Sequence, residues 1–239
     1  MDIMQSFWSG SKLGIVGRLC CASYIANGHE FHLYTYGPIE DAPIGVIIKD
    51  ANEIVPQSDL ARFKLAAQFS DWFKYHLLFN RGNWWVDMDT VCLRPFDFLD
   101  ETIFVEERLD KNRPDYINAD FCKAPKGSPV MAWCIAQVKE KSNPAGNWHE
   151  LKDYCELGPW LQTAAVRHFG ICPQSYYKFF NPAHVTPSNP EWLWFNGVVQ
   201  LPPDIYGVHF WRCNRQEADW KGADNSIFEQ LRRRYAVYR

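Results

Sequence analysis

No stretch of this sequence approaches the roughly 20 consecutive apolar residues that span a bilayer. The opening MDIMQSFW begins with an acid, lacks the basic n-region of a secretory leader and has no long apolar run behind it. Membrane spanning and secretion are therefore not expected. An excess of basic charge is missing too: 25 Lys and Arg stand against 28 Asp and Glu, giving a formal net charge of −3 and a pI near 6.2. Little is left over to neutralise a phosphate backbone, so nucleic acid is not an expected partner. The eight cysteines include no CxxC pair. Scattered through a long chain without a leader, they read as reduced thiols of a cytoplasmic protein and mark neither a disulfide framework nor a zinc site. Internal repeats and low-complexity tracts are absent as well.

What is present is a chain of 239 residues, 47% hydrophobic and 22% charged, long enough to bury a full core as one soluble globular domain. Its 11 Trp, 11 Tyr and 16 Phe are many for this length. Such rings fill cores, and they also offer flat platforms to nucleobases and sugar faces. Asp2 to Trp8 reads as a strand, GSKLG as a loop, and Ile15 to Asn27 as a helix closed by Gly28. EFHLYTY and VIIKD read as strands. VPQSDLARF then supplies start signals for a long helix from about Leu60 to Asn80, and Trp84 to Asp87 forms the next strand. This βαββα order, closed by a strand, predicts an α/β sheet of the nucleotide-binding kind. Further along, TIFVEE and YINADFCKA read as strands and Ser128 to Lys141 and GPWLQTAAVRHF as helices. Asn181 to Pro190 reads as an irregular segment, YGVHFW as a late strand and NSIFEQLRRRYAVYR as a terminal amphipathic helix.

Chemistry-bearing residues concentrate around NWWVDMDT, residues 83 to 90. In an extended segment Asp87 and Asp89 point the same way while Met88 points into the core. Two carboxylates that close repel each other, and a divalent cation removes the conflict. In open α/β sheets the ligand crevice lies beyond the carboxyl ends of the strands, where this pair falls. Asp-x-Asp alone is common by chance, so its weight comes from context. The preceding helix is apolar on nearly all sides, with Phe63, Ala66, Ala67, Phe73 and Leu77 on one flank and Leu65, Phe69, Trp72 and Phe79 on the other. Asp71 and Lys74 sit three residues apart on it, either as an internal ion pair or as two groups facing one cavity. His209 shares a strand face with Trp211, as a ligand beside an aromatic platform or as an exposed edge. Asn118 and Asp120 in INADF read more simply as turn hydrogen-bonders than as acceptor contacts.

The stretch FSDWFKYHLLFNRGNWWVDMDTVCLRPFD resembles the sugar-binding region of the DXD-motif glycosyltransferases, the group around glycosyltransferase family 32 and the glucosylating toxins. That pattern runs Ser-Asp-x-x-Arg-Tyr, Leu-Leu, a Gly-containing turn, an apolar triplet, Asp-x-Asp and a following Pro. INADFCKAPKGSPV, LGPW and VHFW are weaker echoes. The resemblance implies an α/β, GT-A-like fold: a Rossmann-type mixed sheet flanked by helices, forming a single domain over 1–239. Residues 1–100 would bind a nucleotide-sugar donor, and residues 101–239 would face a glycan or glycolipid acceptor, as in polysaccharide biosynthesis. It implies Mn2+ or Mg2+ and transfer with retention of configuration. Asp87 would meet the donor's ribose or sugar and Asp89 the metal on the diphosphate. Asp71 and Lys74 would hold the donor sugar and phosphate, making Asp71, Asp87 and Asp89 the expected catalytic carboxylates. Trp8 would pack on the nucleobase, and His209 would complete the metal shell. Two departures stand out: Lys74 replaces the usual Arg, exchanging a bidentate fork for a point charge, and RGNWW replaces YGGIY.

Two rivals carry different chemistry. VDMDTV also fits the Asp-x-Asp-x-Thr/Val signature of haloacid-dehalogenase-type phosphatases, although that signature normally opens its domain and is followed by an Asp-Asp pair. A carbohydrate-binding protein without turnover would use the same Trp-rich surface. The terminal LRRRYAVYR is either a solvated helix face or a peripheral contact with the anionic inner face of a membrane.

Overall fold

The computed structural model describes residues 2–107, 116–175, 201–211 and 223–237. The expected segment from Asn181 to Pro190 lies outside the described residues. Six strands form the main sheet: β1 (Ile3–Trp8), β2 (Glu30–Thr35), β3 (Val46–Asp50), β4 (Asn83–Val86), β6 (Ile103–Glu107) and β7 (Tyr116–Ala124), in the order β3-β2-β1-β4-β7-β6. β3, β2, β1 and β4 pair in parallel, whereas β7 runs antiparallel to both β4 and β6. The helices are α1 (Gly14–Ala26), α2 (Ala66–Arg81), α3 (Pro129–Glu140), α4 (Pro159–Phe169) and α5 (Ile227–Arg234). One cluster packs Phe69, Phe73 and Leu77 of α2 with Met131 of α3, Ala165 of α4 and the Phe7, Trp85 and Phe104 side chains of the sheet. On the other face, Cys20, Cys21 and Tyr24 of α1 pack with Met4, Phe31, Trp84 and Val86. The expected α/β mixed sheet flanked by helices is what the chain forms.

A small second sheet is half legible in the sequence. β5 (Thr90–Cys92) pairs antiparallel with β8 (Gly207–His209), placing Thr90 opposite His209. β8 is the late strand expected in YGVHFW, whereas β5 is too short to show a period and only its long-range partner defines it.

The helix expected from Leu60 begins six residues later. Gln57–Arg62 forms a 3-10 turn, and both Phe63 and Leu65 are extended. Tertiary packing overrides helix propensity here: the Phe63 ring stacks on Trp148 with centroids 4.4 Å apart, and the Trp148 amide donates to the Arg62 carbonyl at 2.8 Å. Ala66 and Ala67, expected on a buried flank, are exposed.

α2 runs into β4 with almost no connection. Gly82 has φ +72° and ψ −160°, a region essentially reserved for glycine, and Asn83 also has a positive φ. A Cβ on Gly82 would come within 2.6 Å of the Lys126 amide nitrogen. Gly82→Ala is expected to cost about 1–3 kcal/mol or more in urea unfolding; an unchanged midpoint would show that this turn does not constrain the strand. His76, next on the same helix, lies against Trp72 with ring centroids 4.1 Å apart. Burial, reinforced by Lys139, lowers its pKa from 6.5 to about 4. A group depressed in the native state contributes stability that is complete above the unfolded value and is lost as pH falls through the folded one. The thermal midpoint of His76→Gln should therefore drop less than that of wild type between pH 7 and pH 4, and parallel curves would contradict this.

Candidate functional site

The carboxyl end of β4 delivers the acidic motif. Asp87, Met88 and Asp89 form a turn, which corrects the expected extended segment. The Thr90 amide donates to the Asp87 carbonyl at 3.2 Å, and the Thr90 hydroxyl donates to it at 2.7 Å. Met88 is buried as expected, and both aspartates line a cleft of about 250 Å³. Asp87 Oδ1 accepts the Trp85 indole N–H at 2.5 Å. The Asp89 carbonyl accepts the Phe210 amide at 2.9 Å, which ties the motif to the exit of β8.

β7 supplies the opposing wall through an irregularity. Phe104 pairs with Cys122, but Val105 pairs with Asn118, so Ala119, Asp120 and Phe121 bulge from the ladder with β6. Bulges re-aim side chains and free backbone groups. Here the Asp120 carbonyl takes the Asp87 amide at 2.8 Å and the Ala119 carbonyl takes Lys74 Nζ at 3.0 Å. The Asp120 carboxylate faces His209, with Oδ2 2.5 Å from Nδ1, while His209 Nε2 stands 3.5 Å from Asp89 Oδ2. Asn118 bridges the remaining acids, donating to Glu107 Oε2 at 2.7 Å and to Asp120 Oδ2 at 3.0 Å. Asp120 therefore lines the cleft and Asn118 positions its carboxylate, whereas sequence reading favoured turn hydrogen bonds over acceptor contacts for both. Glu107 was missed altogether. No local pattern in the sequence points to it; strand pairing brings Asp120 beside the motif, because β7 runs antiparallel to β4.

Of the sequence-predicted residues, Asp71, Asp87, Asp89 and His209 line the cleft together. Lys74 sits behind it, 1% exposed, with Nζ 2.5 Å from Asp71 Oδ1. Asp71 in turn lies against Gly158, where a Cβ would come 2.6 Å from its Oδ2, so α4 can start at the cleft only on a glycine. Trp8 ends β1, donates its indole N–H to the Lys12 carbonyl at 2.8 Å and is not among the residues lining the cleft. Tyr154, Trp160 and Trp211 provide the aromatic walls; Trp211 lies 4.7 Å from the His209 ring and adopts φ +45°, an uncommon conformation for a bulky side chain.

The fold has counterparts among solved structures. The apo-form glycosyltransferase GlyE of Streptococcus pneumoniae aligns over 100% of this chain at a TM-score of 0.51 and 12% identity. The fold is GT-A-like. This chain spans 61% of GlyE's length. The PaToxG glycosyltransferase aligns over 70% of this chain and 69% of its own at a TM-score of 0.48 and 14% identity. No family model and no curated protein matches the sequence.

Within this GT-A-like frame the electrostatics are lopsided. Burial, then Asp120, pushes the Asp87 carboxyl well above the usual carboxylate range despite Lys74. Burial raises Glu107 to about 7. Burial works against a charged His209, but Asp120 and Asp89 outweigh it and hold the imidazole protonated well above its usual range. Lys74 likewise keeps its proton against burial because Asp71 and Asp87 attract it. Glu107, Asp120 and His209 bring one donor atom each within 4.8 Å of one another. Two carboxylates with one imidazole fit a divalent cation once the imidazole gives up its proton to the solvent, and Asp89 is not one of these three donors.

Removing one partner of a buried ion pair leaves the other charge uncompensated. Lys74→Met should destabilise the protein by about 3–5 kcal/mol in denaturant unfolding, and Asp71→Asn in the same chain should restore part of the loss. A cost below about 1 kcal/mol would mean that the pair is not an anchor.

Proposed function

We propose that this protein is a metal-dependent glycosyltransferase that moves a sugar from a nucleoside diphosphate sugar to a glycan or lipid-linked acceptor, with retention of configuration. The observation that carries this reading is the convergence of Asp87, Asp89 and His209, from β4 and β8, on one aromatic-walled cleft. The resemblance to the DXD-motif enzymes and the GT-A-like fold support it from two directions. Residues 1–100 serve as the donor-binding half and residues 101–239 as the acceptor-side half of one domain.

In this reading Asp89 and His209 hold Mn2+ or Mg2+. When bound, the cation stabilises the negative charge that develops on the departing diphosphate. Asp87, fixed by the Trp85 indole, contacts the donor's ribose or sugar, and Asp71, steadied by Lys74, contacts the sugar. Trp8 at the end of β1 offers its ring to the nucleobase. The buried walls exclude water from a reacting sugar with oxocarbenium character.

The phosphatase alternative draws no support from the topology, because the motif follows the fourth strand and adjoins an antiparallel one. Membrane contact by the terminal helix would rest on few residues. Arg232 pairs with Glu229 at 2.7 Å, whereas Arg233 and Arg234 are exposed, Arg234 donating to the Leu93 carbonyl at 3.2 Å. Among the described residues no helix is long and apolar enough to cross a membrane.

A screen of nucleotide sugars by thermal shift, with and without Mn2+, identifies the donor, since a ligand of the native state raises stability by mass action. With that donor, Asp89→Ala should lower metal-dependent turnover by about 100-fold or more while the circular dichroism spectrum stays native. Wild-type turnover in Asp89→Ala would refute the assignment. Binding without transfer or hydrolysis would favour a carbohydrate-binding protein, and phosphate release from an aryl phosphate would favour the phosphatase.

A further inference from the structure

Glu107 occupies the last position of β6, 8% exposed, on the wall of the cleft. One carboxylate oxygen is accounted for: Oε2 accepts the Asn118 side-chain amide at 2.7 Å. The other, Oε1, is buried and has no hydrogen-bond partner among the described residues. A buried acceptor without a partner forfeits its hydration for nothing in return, and native structures rarely retain one unless a ligand or ion completes it. Asn118 also turns the group, because the same amide donates to Asp120 Oδ2 at 3.0 Å and so holds the two carboxylates side by side. Strand pairing accounts for the arrangement. Asp120 lies in the bulge of β7 and is joined to Glu107 through Asn118, and pairing of β8 with β5 brings His209 against Asp120.

We propose that Glu107 is a direct ligand of the divalent cation, binding through Oε1 beside Asp120 and His209, so that the metal seats on β6, β7 and β8 and not on the Asp87–Asp89 turn alone. This rests on the reading that the cleft takes a metal. Ligand atoms around an ion with metal–oxygen distances near 2.1 Å lie up to about 4.3 Å apart, and the three donors fall within 4.8 Å of one another, so only a small contraction is required. Asp89 Oδ2, 3.5 Å from His209 Nε2, borders this group and links it to the donor side. Two roles are thereby divided: the inner triad grips the cation, and the turn presents it to the diphosphate.

Mn2+ binding by the whole chain, followed as loss of the free-ion paramagnetic resonance signal and as a thermal shift, tests this without any reaction. Glu107→Gln keeps the acceptor for Asn118 and removes the charge. Its Kd for Mn2+ should rise at least about 10-fold, with the metal-free melting point unchanged or higher. Glu107→Cys should shift preference from Mn2+ toward Cd2+, because a thiolate favours the softer ion; a purely structural Glu107 would give no such change, and this variant decides the matter if Glu107→Gln folds poorly. Wild-type Mn2+ affinity in Glu107→Gln together with unchanged metal preference in Glu107→Cys overturns the proposal, as does a wild-type chain that takes up no Mn2+. If Asp89→Asn loses the ion while Glu107→Gln keeps it, the metal sits on the turn and the transferase reading survives. That reading fails separately, if the wild-type chain neither binds nor turns over any nucleotide sugar.

Discussion

Repulsion among the carboxylates of Asp71, Asp87, Asp89, Glu107 and Asp120, all lining one small cleft, is the constraint around which the rest of the chain is organised. Acids this close and this buried destabilise one another unless they are protonated or matched by positive charge. Lys74 and His209 match part of it: Lys74 from behind through Asp71, His209 from across through Asp120 and Asp89. The remainder falls on Asp87 and Glu107, whose carboxyls are driven up mainly by burial. Such a site is costly to keep for structure alone, because an apolar core of similar volume would be at least as stable. A ligand that carries positive charge would relieve this repulsion.

Backbone geometry makes the cleft possible. In an unbroken β6–β7 ladder the Ala119 carbonyl would be spent on β6; at the bulge it anchors Lys74 instead. The Asp120 carbonyl continues the antiparallel β4–β7 pairing by taking the Asp87 amide. One short segment of β7 thus holds the helix that carries Asp71, the turn that carries Asp87 and Asp89, and the carboxylate that faces His209.

Much of this was legible in the sequence, and the parts that were not share a cause. Strands and helices with strong apolar periodicity appeared where expected, as did the acidic motif at the end of a buried strand. Asp71 and Lys74 were separable as a pair because a helix fixes the distance between positions three apart. What could not be read depends on contacts between distant segments. The delayed start of α2 follows from Phe63 stacking on Trp148, 85 residues away, and β5 exists only because β8 returns to pair with it. Asp120 read as a turn residue because no local pattern announces a bulge, and Glu107 lacked any signal until Asn118 was seen to hold it beside Asp120.

Lys74 stands where the resembled motif carries Arg, and the two side chains differ physically. An Arg fork can bind a carboxylate and still present further donors to a phosphate, whereas a Lys ammonium is a single point charge with three donors. At 2.5 Å from Asp71 and 3.0 Å from the Ala119 carbonyl, and 1% exposed, this ammonium is committed to the protein and does not line the cleft. A diphosphate entering the cleft would meet five carboxylates and one cationic side chain, His209, which is itself shared between two acids. Binding such an anion without a metal would add two negative charges to a site that already holds too many. A divalent cation bound among these acids would reverse the sign of that encounter.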